Sequence, residues 1–235
     1  MYNIIGVANY TLLVEPLYFL SITERHRHMY FFKDLNLLGE GTQKLVFDHP
    51  ESTDKVIKIM KPENSTPDGA RVGQHYLRAH RSQGIYRQFR RELIQYLQLC
   101  KSNFNEKNYT FPIETVHGFV GTDLGLGLVT EKIVSPSGLP KTLSYISRNS
   151  EFTPKHAKAL DDFFDSCCCL HIVFGEVNIA GIMYTEERRG IPEFVLIDGI
   201  GDKLIIPFRS MSKTINTRNV RKVERKIKSK ISFYS

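Results

Sequence analysis

The stretch Leu38–Lys61, LGEGTQKLVFDHPESTDKVIKIMK, decides how the rest of the chain is read. Apolar runs at Leu35–Leu38 and Leu45–Phe47 flank Gly39-Glu40-Gly41-Thr42-Gln43. The breakers Pro50, Ser52 and Asp54 then mark a turn, and Val56–Met60 reads as a short strand. Its residues alternate, with Val56, Lys58 and Met60 on one face and Ile57 and Ile59 on the other. A hairpin with two glycines followed by a strand with a lysine suits a phosphate group. Glycine lets the backbone approach closely, and the lysine neutralises charge. Taken singly, the glycines fit an ordinary hairpin and Lys58 fits a strand lysine facing water.

Downstream, residues 62 to 80 are polar and carry Pro62, Pro67 and Gly69, which predicts a loop. Beyond Gly84, the residues Ile85, Phe89, Leu93 and Leu97 recur at helical spacing and predict one apolar stripe. Strands are expected at Thr115–Val120 and Leu126–Ile133, with a connector at Ser135–Gly138. Thr153 as N-cap and Pro154 at the first helical position open another helix. Ala157, Leu160, Phe164, Cys167 and Cys168 line its apolar face. It ends near His171, whose ring is expected to favour the helix's own C-terminal carbonyls. Short strands at Ile182–Tyr184 and Phe194–Ile197 flank the turn EERRG, and Asp198-Gly199 reads as a turn. Leu204–Phe208 is a further apolar run before a basic helix.

This order predicts an α+β architecture of two lobes with a cleft between them, an antiparallel sheet plus one helix and then a short, mostly helical part. The divisions expected are an N-terminal extension 1–28, a first lobe 29–134, an abbreviated second lobe 135–208 and a basic C-terminal helix 209–235. The domain pattern starts only after Met29. An upstream start codon would account for the apolar opening residues, as would an extra surface element.

The chain has 235 residues and 41% hydrophobic composition, enough for a sizeable core and no bulk disorder. Glu15 and Pro16 interrupt the apolar start, which lacks a basic lead and a cleavage site, so neither a membrane span nor a signal peptide is expected. Cys100 and the adjacent Cys167, Cys168 and Cys169 suit neither a disulfide framework nor a zinc site. They read as buried helix thiols in a reducing cytoplasm. The net charge of +7 is uneven: from Arg209 onward there are nine Lys or Arg and one acid, Glu224. That pattern reads first as a solvated helix face and second as a contact for acidic partners. No nucleic-acid motif accompanies it.

Two carboxylates complete a phosphate-binding set in chain order: Glu92 on the helix after Lys58, and Asp198 before Gly199. At this point the sequence resembles protein kinases. Leu38–Val46 resembles the glycine-rich loop, with Gly39, Gly41 and Val46 as its nucleotide-binding residues and Lys44 in place of a third glycine. Val56-Ile57-Lys58 resembles the strand lysine motif, and Arg90–Leu93 supplies Glu92 as the partner of Lys58. Asp198 resembles the metal-holding Asp of a DFG element, with Gly199 where Phe is usual. The chain is similar to one small bacterial family in particular, the YrbL or PhoP regulatory network proteins, over about Phe32–Ile227. LGEGTQKLVFDHP, VIKIMK, RREL, IVFGEVNIAGIM and VLIDGIGDKLIIP carry that similarity.

The resemblance implies a kinase-like fold that binds ATP and Mg2+. It breaks in the catalytic loop, Phe174–Gly181, where Glu176 stands for the catalytic Asp and Gly181 for a metal-binding Asn. The expectation is therefore a cytoplasmic, ATP- and Mg-binding protein with weak or absent phosphotransferase activity and Glu176 as its base. The alternative is a pseudokinase that regulates a protein partner without catalysis.

Overall fold

The computed structural model describes residues 29–73, 83–202 and 208–231. The expected extension 1–28, the end of the loop after residue 73 and residues 204–207 of the last apolar run lie outside them. The first lobe holds β1 (Met29–Tyr30), β2 (Leu37–Glu40), β3 (Lys44–His49), β4 (Ser52–Met60), α1 (Arg87–Ser102), β5 (Val116–Thr122) and β6 (Gly125–Glu131). The sheet order is β1-β5-β6-β4-β3-β2. Only β1 runs parallel to its neighbour.

Register fixes which side chains share a face, because residues directly opposite in an antiparallel pair point the same way. Val46 lies opposite Lys58, and Lys44 opposite Met60. Lys44, Val46, Val56, Lys58 and Met60 therefore share the inner face. Phe47, Ile57, Ile59 and Val129 cluster on the outer one. The alternation read from Val56–Met60 is the one observed.

Helix α1 and the turn before it pack on the inner face through Phe89 and Ile85 against Met60 and Leu128. Its buried face differs from the expected apolar stripe. Glu92, Gln95 and Leu99 are buried, whereas Leu97 is 55% exposed. The reason is polar: Glu92 accepts from Lys44, and Gln95 accepts from the Val173 N–H at 2.9 Å. A helix facing a cleft buries groups that have partners there, and hydrophobic periodicity does not register them.

The second lobe holds α2 (Leu143–Arg148), α3 (Pro154–Cys169), β7 (Ile182–Thr185), β8 (Glu193–Leu196), α4 (Phe208–Met211) and α5 (Lys213–Lys228). Its core packs Leu160, Phe164 and Cys167 of α3 against Phe174, Leu196 and Val220. Thr153 caps α3 as expected, and His156 returns the bond by accepting from the Thr153 N–H at 3.2 Å. Thr142 caps α2, a helix that the connector reading passed over.

Three expectations need correction here. Cys167 and Cys168 are buried, but Cys169 is exposed. His171 does not serve its own helix; its backbone is left-handed (φ 57°) and its Nε2 donates to the Arg209 carbonyl at 2.7 Å. The basic α5 is not simply a solvated helix. Asn216, Val220, Glu224 and Ile227 form a buried face, and Glu224 pairs there with Arg221 and Lys228.

The lobes are tied at the back of the cleft. Ile113 bridges Leu196 in parallel, and Arg188, in the β7–β8 turn, reaches up to the end of β6. Its Nε donates to Glu131 at 2.7 Å, and Nη1 donates to the Phe111 carbonyl at 3.0 Å. Burial alone would raise the Glu131 carboxyl, but Arg188 and the Thr115 N–H hold it below the ordinary range. An antiparallel sheet with one packed helix, a cleft, and a short second lobe is the protein-kinase-like α+β fold expected from the sequence.

Candidate functional site

A cleft of about 590 Å3 opens between the lobes, within the range of small-molecule sites. The β2–β3 hairpin roofs it with Gly39, Gly41 and Val46. Lys58, Glu176 and Asp198 also line it, as do Glu114 and Lys44. Of the residues expected from sequence, Glu92 alone stands behind the wall, 2% exposed. Val46, Val56, Ile133 and Met183 supply apolar lining. These make an apolar slot suited to a flat heteroaromatic ring.

The glycines of the hairpin are informative because the hairpin does not need them. Neither Gly39 nor Gly41 has a left-handed backbone. A Cβ on Gly39 would meet nothing within 4 Å, and one on Gly41 only the Lys44 carbonyl at 3.7 Å. The missing side chains leave room over the cleft for something to approach the backbone.

Asp198 sits at the mouth of the other lobe, just after β8. Its Oδ1 accepts from Gln88 Nε2 at 2.5 Å and from the Gly199 N–H at 2.8 Å, and Lys44 Nζ lies 3.1 Å away. The side chain remains 48% exposed. Burial by itself would raise this carboxyl, but Lys44, Lys58 and the Gly199 N–H hold it below its ordinary value. A carboxylate anchored through one oxygen and open to the cleft is suited to hold a cation beside an anionic ligand. Among the described residues no group of three or more His, Cys, Asp or Glu is gathered for a metal ion. A cation here would rest on Asp198 and on the ligand's own oxygens, a donor set that Mg2+ accepts.

Gly199 is required by the backbone. It has φ +82°, and a Cβ there would come within 2.7 Å of the Glu176 carbonyl oxygen. The next residue, Ile200, is buried in the core and bridges Phe174. The segment Phe174–Gly181 is held from below: Arg209 Nη1 and Asn219 Nδ2 donate to the Phe174 carbonyl at 2.7 and 3.2 Å, and Asn216 donates to Ile172 at 2.8 Å. Glu176 is exposed on that segment. Asn178 turns its Oδ1 back onto the Ala180 and Gly181 N–H groups, at 2.8 and 3.2 Å. Gly181, buried under Asp198, brings no ligand atom of its own.

The expected pairing of Lys58 with Glu92 is not the one observed. Glu92 accepts from Lys44 at 2.9 Å. Lys58 donates to both oxygens of Glu114 and to the Ile197 carbonyl at 2.9 Å. The physical reason is reach: Glu114 follows the Ile113–Leu196 bridge, next to Ile197, which also accepts from Lys58, while Lys44 reaches Glu92 on the helix. Sequence reading missed Lys44, Gln88 and Glu114. Lys44 carried a signal, since it shares strand parity with Val46. Glu114, embedded in Phe111-Pro-Ile-Glu-Thr, carried only its position in an apolar run.

A family model described as PhoP regulatory network protein YrbL matches residues 31–232. No curated protein matches the chain. Among solved structures it is similar to the Rio2 kinase–ADP/Mg2+–phosphoaspartate complex from Chaetomium thermophilum, at 18% identity and a TM-score of 0.45, over 88% of this chain and 59% of that one. It is also similar to WbdD crystallised with the kinase inhibitor LY294002, at 14% identity and a TM-score of 0.39, over 77% of this chain and 36% of that one.

Proposed function

The chain belongs to the YrbL family of PhoP regulatory network proteins, and we propose that its cleft binds ATP with Mg2+ while transferring phosphate weakly or not at all. The observation that carries this reading is Asp198, fixed through Oδ1 by Gln88 and Gly199 and open to the cleft beneath a glycine hairpin that has no need of its glycines. The apolar slot of Val46, Val56 and Met183 would take the base. Gly39 and Gly41 would let the backbone close on the phosphates. Asp198 would hold Mg2+, which when bound supplies neutralisation of phosphate charge.

The residues available for transfer depart from an efficient set. Glu176 is placed to accept a hydroxyl proton, but on a longer side chain than Asp. Asn178 commits its oxygen to a turn and Gly181 offers none, so a second metal position lacks a ligand. These two features favour the second reading, a pseudokinase that uses bound nucleotide to regulate a protein partner. Thermal unfolding with ATP separates the possibilities, because a ligand that binds only the folded chain raises its midpoint. A rise that needs Mg2+ and disappears in Asp198→Asn is expected. No rise at millimolar ATP would contradict nucleotide binding. A rise without label transfer to any acceptor would favour the pseudokinase.

A further inference from the structure

Two lysines enter the cleft from neighbouring strands, and their hydrogen bonding differs. An ammonium has three N–H donors. Lys58 Nζ spends all three, on the two oxygens of Glu114 and on the Ile197 carbonyl, and the residue is 3% exposed. Moving it toward a ligand would strand the Glu114 carboxylate, which is 2% exposed. Lys44 Nζ meets two acceptors, Glu92 at 2.9 Å and Asp198 at 3.1 Å. Glu92 is fixed in the helix, whereas Asp198 is the half-exposed partner and the longer contact. One donor of Lys44 is uncommitted, and a second is exchangeable.

We propose that Lys44, from the glycine hairpin, is the cation that meets the nucleotide phosphates, and that Lys58 is a structural residue that ties β4 to Glu114 and to the Ile197 carbonyl and touches no ligand. The assignment rests on the nucleotide reading above. Lys44 stays charged for the task. Burial would lower its pKa, but Glu92, Asp198 and Glu114 outweigh it and raise it. A phosphate arriving under Gly41 would replace the Asp198 contact of Lys44. That would release Asp198 toward the cation, with Gln88 still bonded to it.

The test uses the whole chain and compares equilibrium affinities for ATP–Mg2+ and adenosine. Lys44→Met should weaken ATP by about tenfold or more and leave adenosine unchanged, since one charge-assisted contact is lost. Lys44→Arg should restore most of it. The double variant Lys58→Met/Glu114→Leu removes both buried charges together and should keep ATP within about threefold of wild type. Adenosine binding by each variant reports that it is folded. Loss of ATP in the double variant with retention in Lys44→Met would overturn the assignment. Absence of binding by the unmodified chain, to ATP and adenosine alike, would overturn the cleft reading itself and this assignment with it.

Discussion

Glu114→Leu is the most demanding perturbation of this structure. It removes the only carboxylate of a pair whose members are 2% and 3% exposed. Lys58 would keep only the Ile197 carbonyl. Breaking a buried pair from one side costs about 3–5 kcal/mol, because the remaining charge is uncompensated. With a urea slope of about 2 kcal/mol per molar, the unfolding midpoint should fall by about 1.5–2.5 M.

Removing the lysine instead should be milder and depend on pH. Burial pushes the Glu114 carboxyl above its ordinary 4.5, and Lys58 only partly offsets this. In Lys58→Met the folded chain therefore binds that proton more readily than the unfolded chain. Stability is then fully present below the unfolded value and is lost as pH rises through the folded one. The double variant Lys58→Met/Glu114→Leu should recover to within about 1 kcal/mol of wild type. The assay is urea unfolding followed by far-UV circular dichroism. Near-wild-type stability of Glu114→Leu, or a double variant no better than Glu114→Leu, would refute the buried-pair reasoning.

Three further outcomes are expected. Gly199→Ala should cost about 1–3 kcal/mol in the same assay, from its left-handed backbone and the Glu176 carbonyl 2.7 Å from the new Cβ; a loss near zero would mean the loop has room. Glu131 is held below its ordinary value, so its contribution is present above that value and lost as pH falls through the folded one. In calorimetry, Arg188→Met should therefore melt below wild type at neutral pH, with the gap narrowing as pH falls below the ordinary carboxylate value; a constant gap would mean that Glu131 does not carry the effect. On α5, replacing the exposed Arg218, Lys222 and Arg225 with Gln should change stability by no more than about 0.5 kcal/mol, while Val220→Ala at a fully buried site should cost about 2–3 kcal/mol. Equal effects would mean the helix is seated differently.

The sheet was legible in the sequence because its signals are local. Alternation through Val56–Met60 and the breakers around Pro50 place strands without knowledge of the fold. Thr153-Pro154 likewise announces a helix start by itself. What could not be read was pairing across sequence distance. Lys44 and Lys58 both sit at inner-face positions, and only the three-dimensional path of Glu114 decides which lysine Glu92 receives. Leu97 misled for a related reason: periodicity counts apolar side chains, and α1 instead buries Glu92 and Gln95 against polar partners. The single acid of the basic tail, Glu224, looked incidental in sequence yet is buried between Arg221 and Lys228. Among the described residues no helix is long and apolar enough to cross a membrane.

The claim that the cleft takes a nucleotide is tested most directly by mapping amide and methyl NMR shifts of the whole chain on titration with ATP and Mg2+. Perturbations should concentrate at Gly39, Gly41 and Lys44, at Val46, Val56 and Met183, and at Asp198 and Gly199. Shifts confined to other surfaces, or none at millimolar ATP, would contradict it.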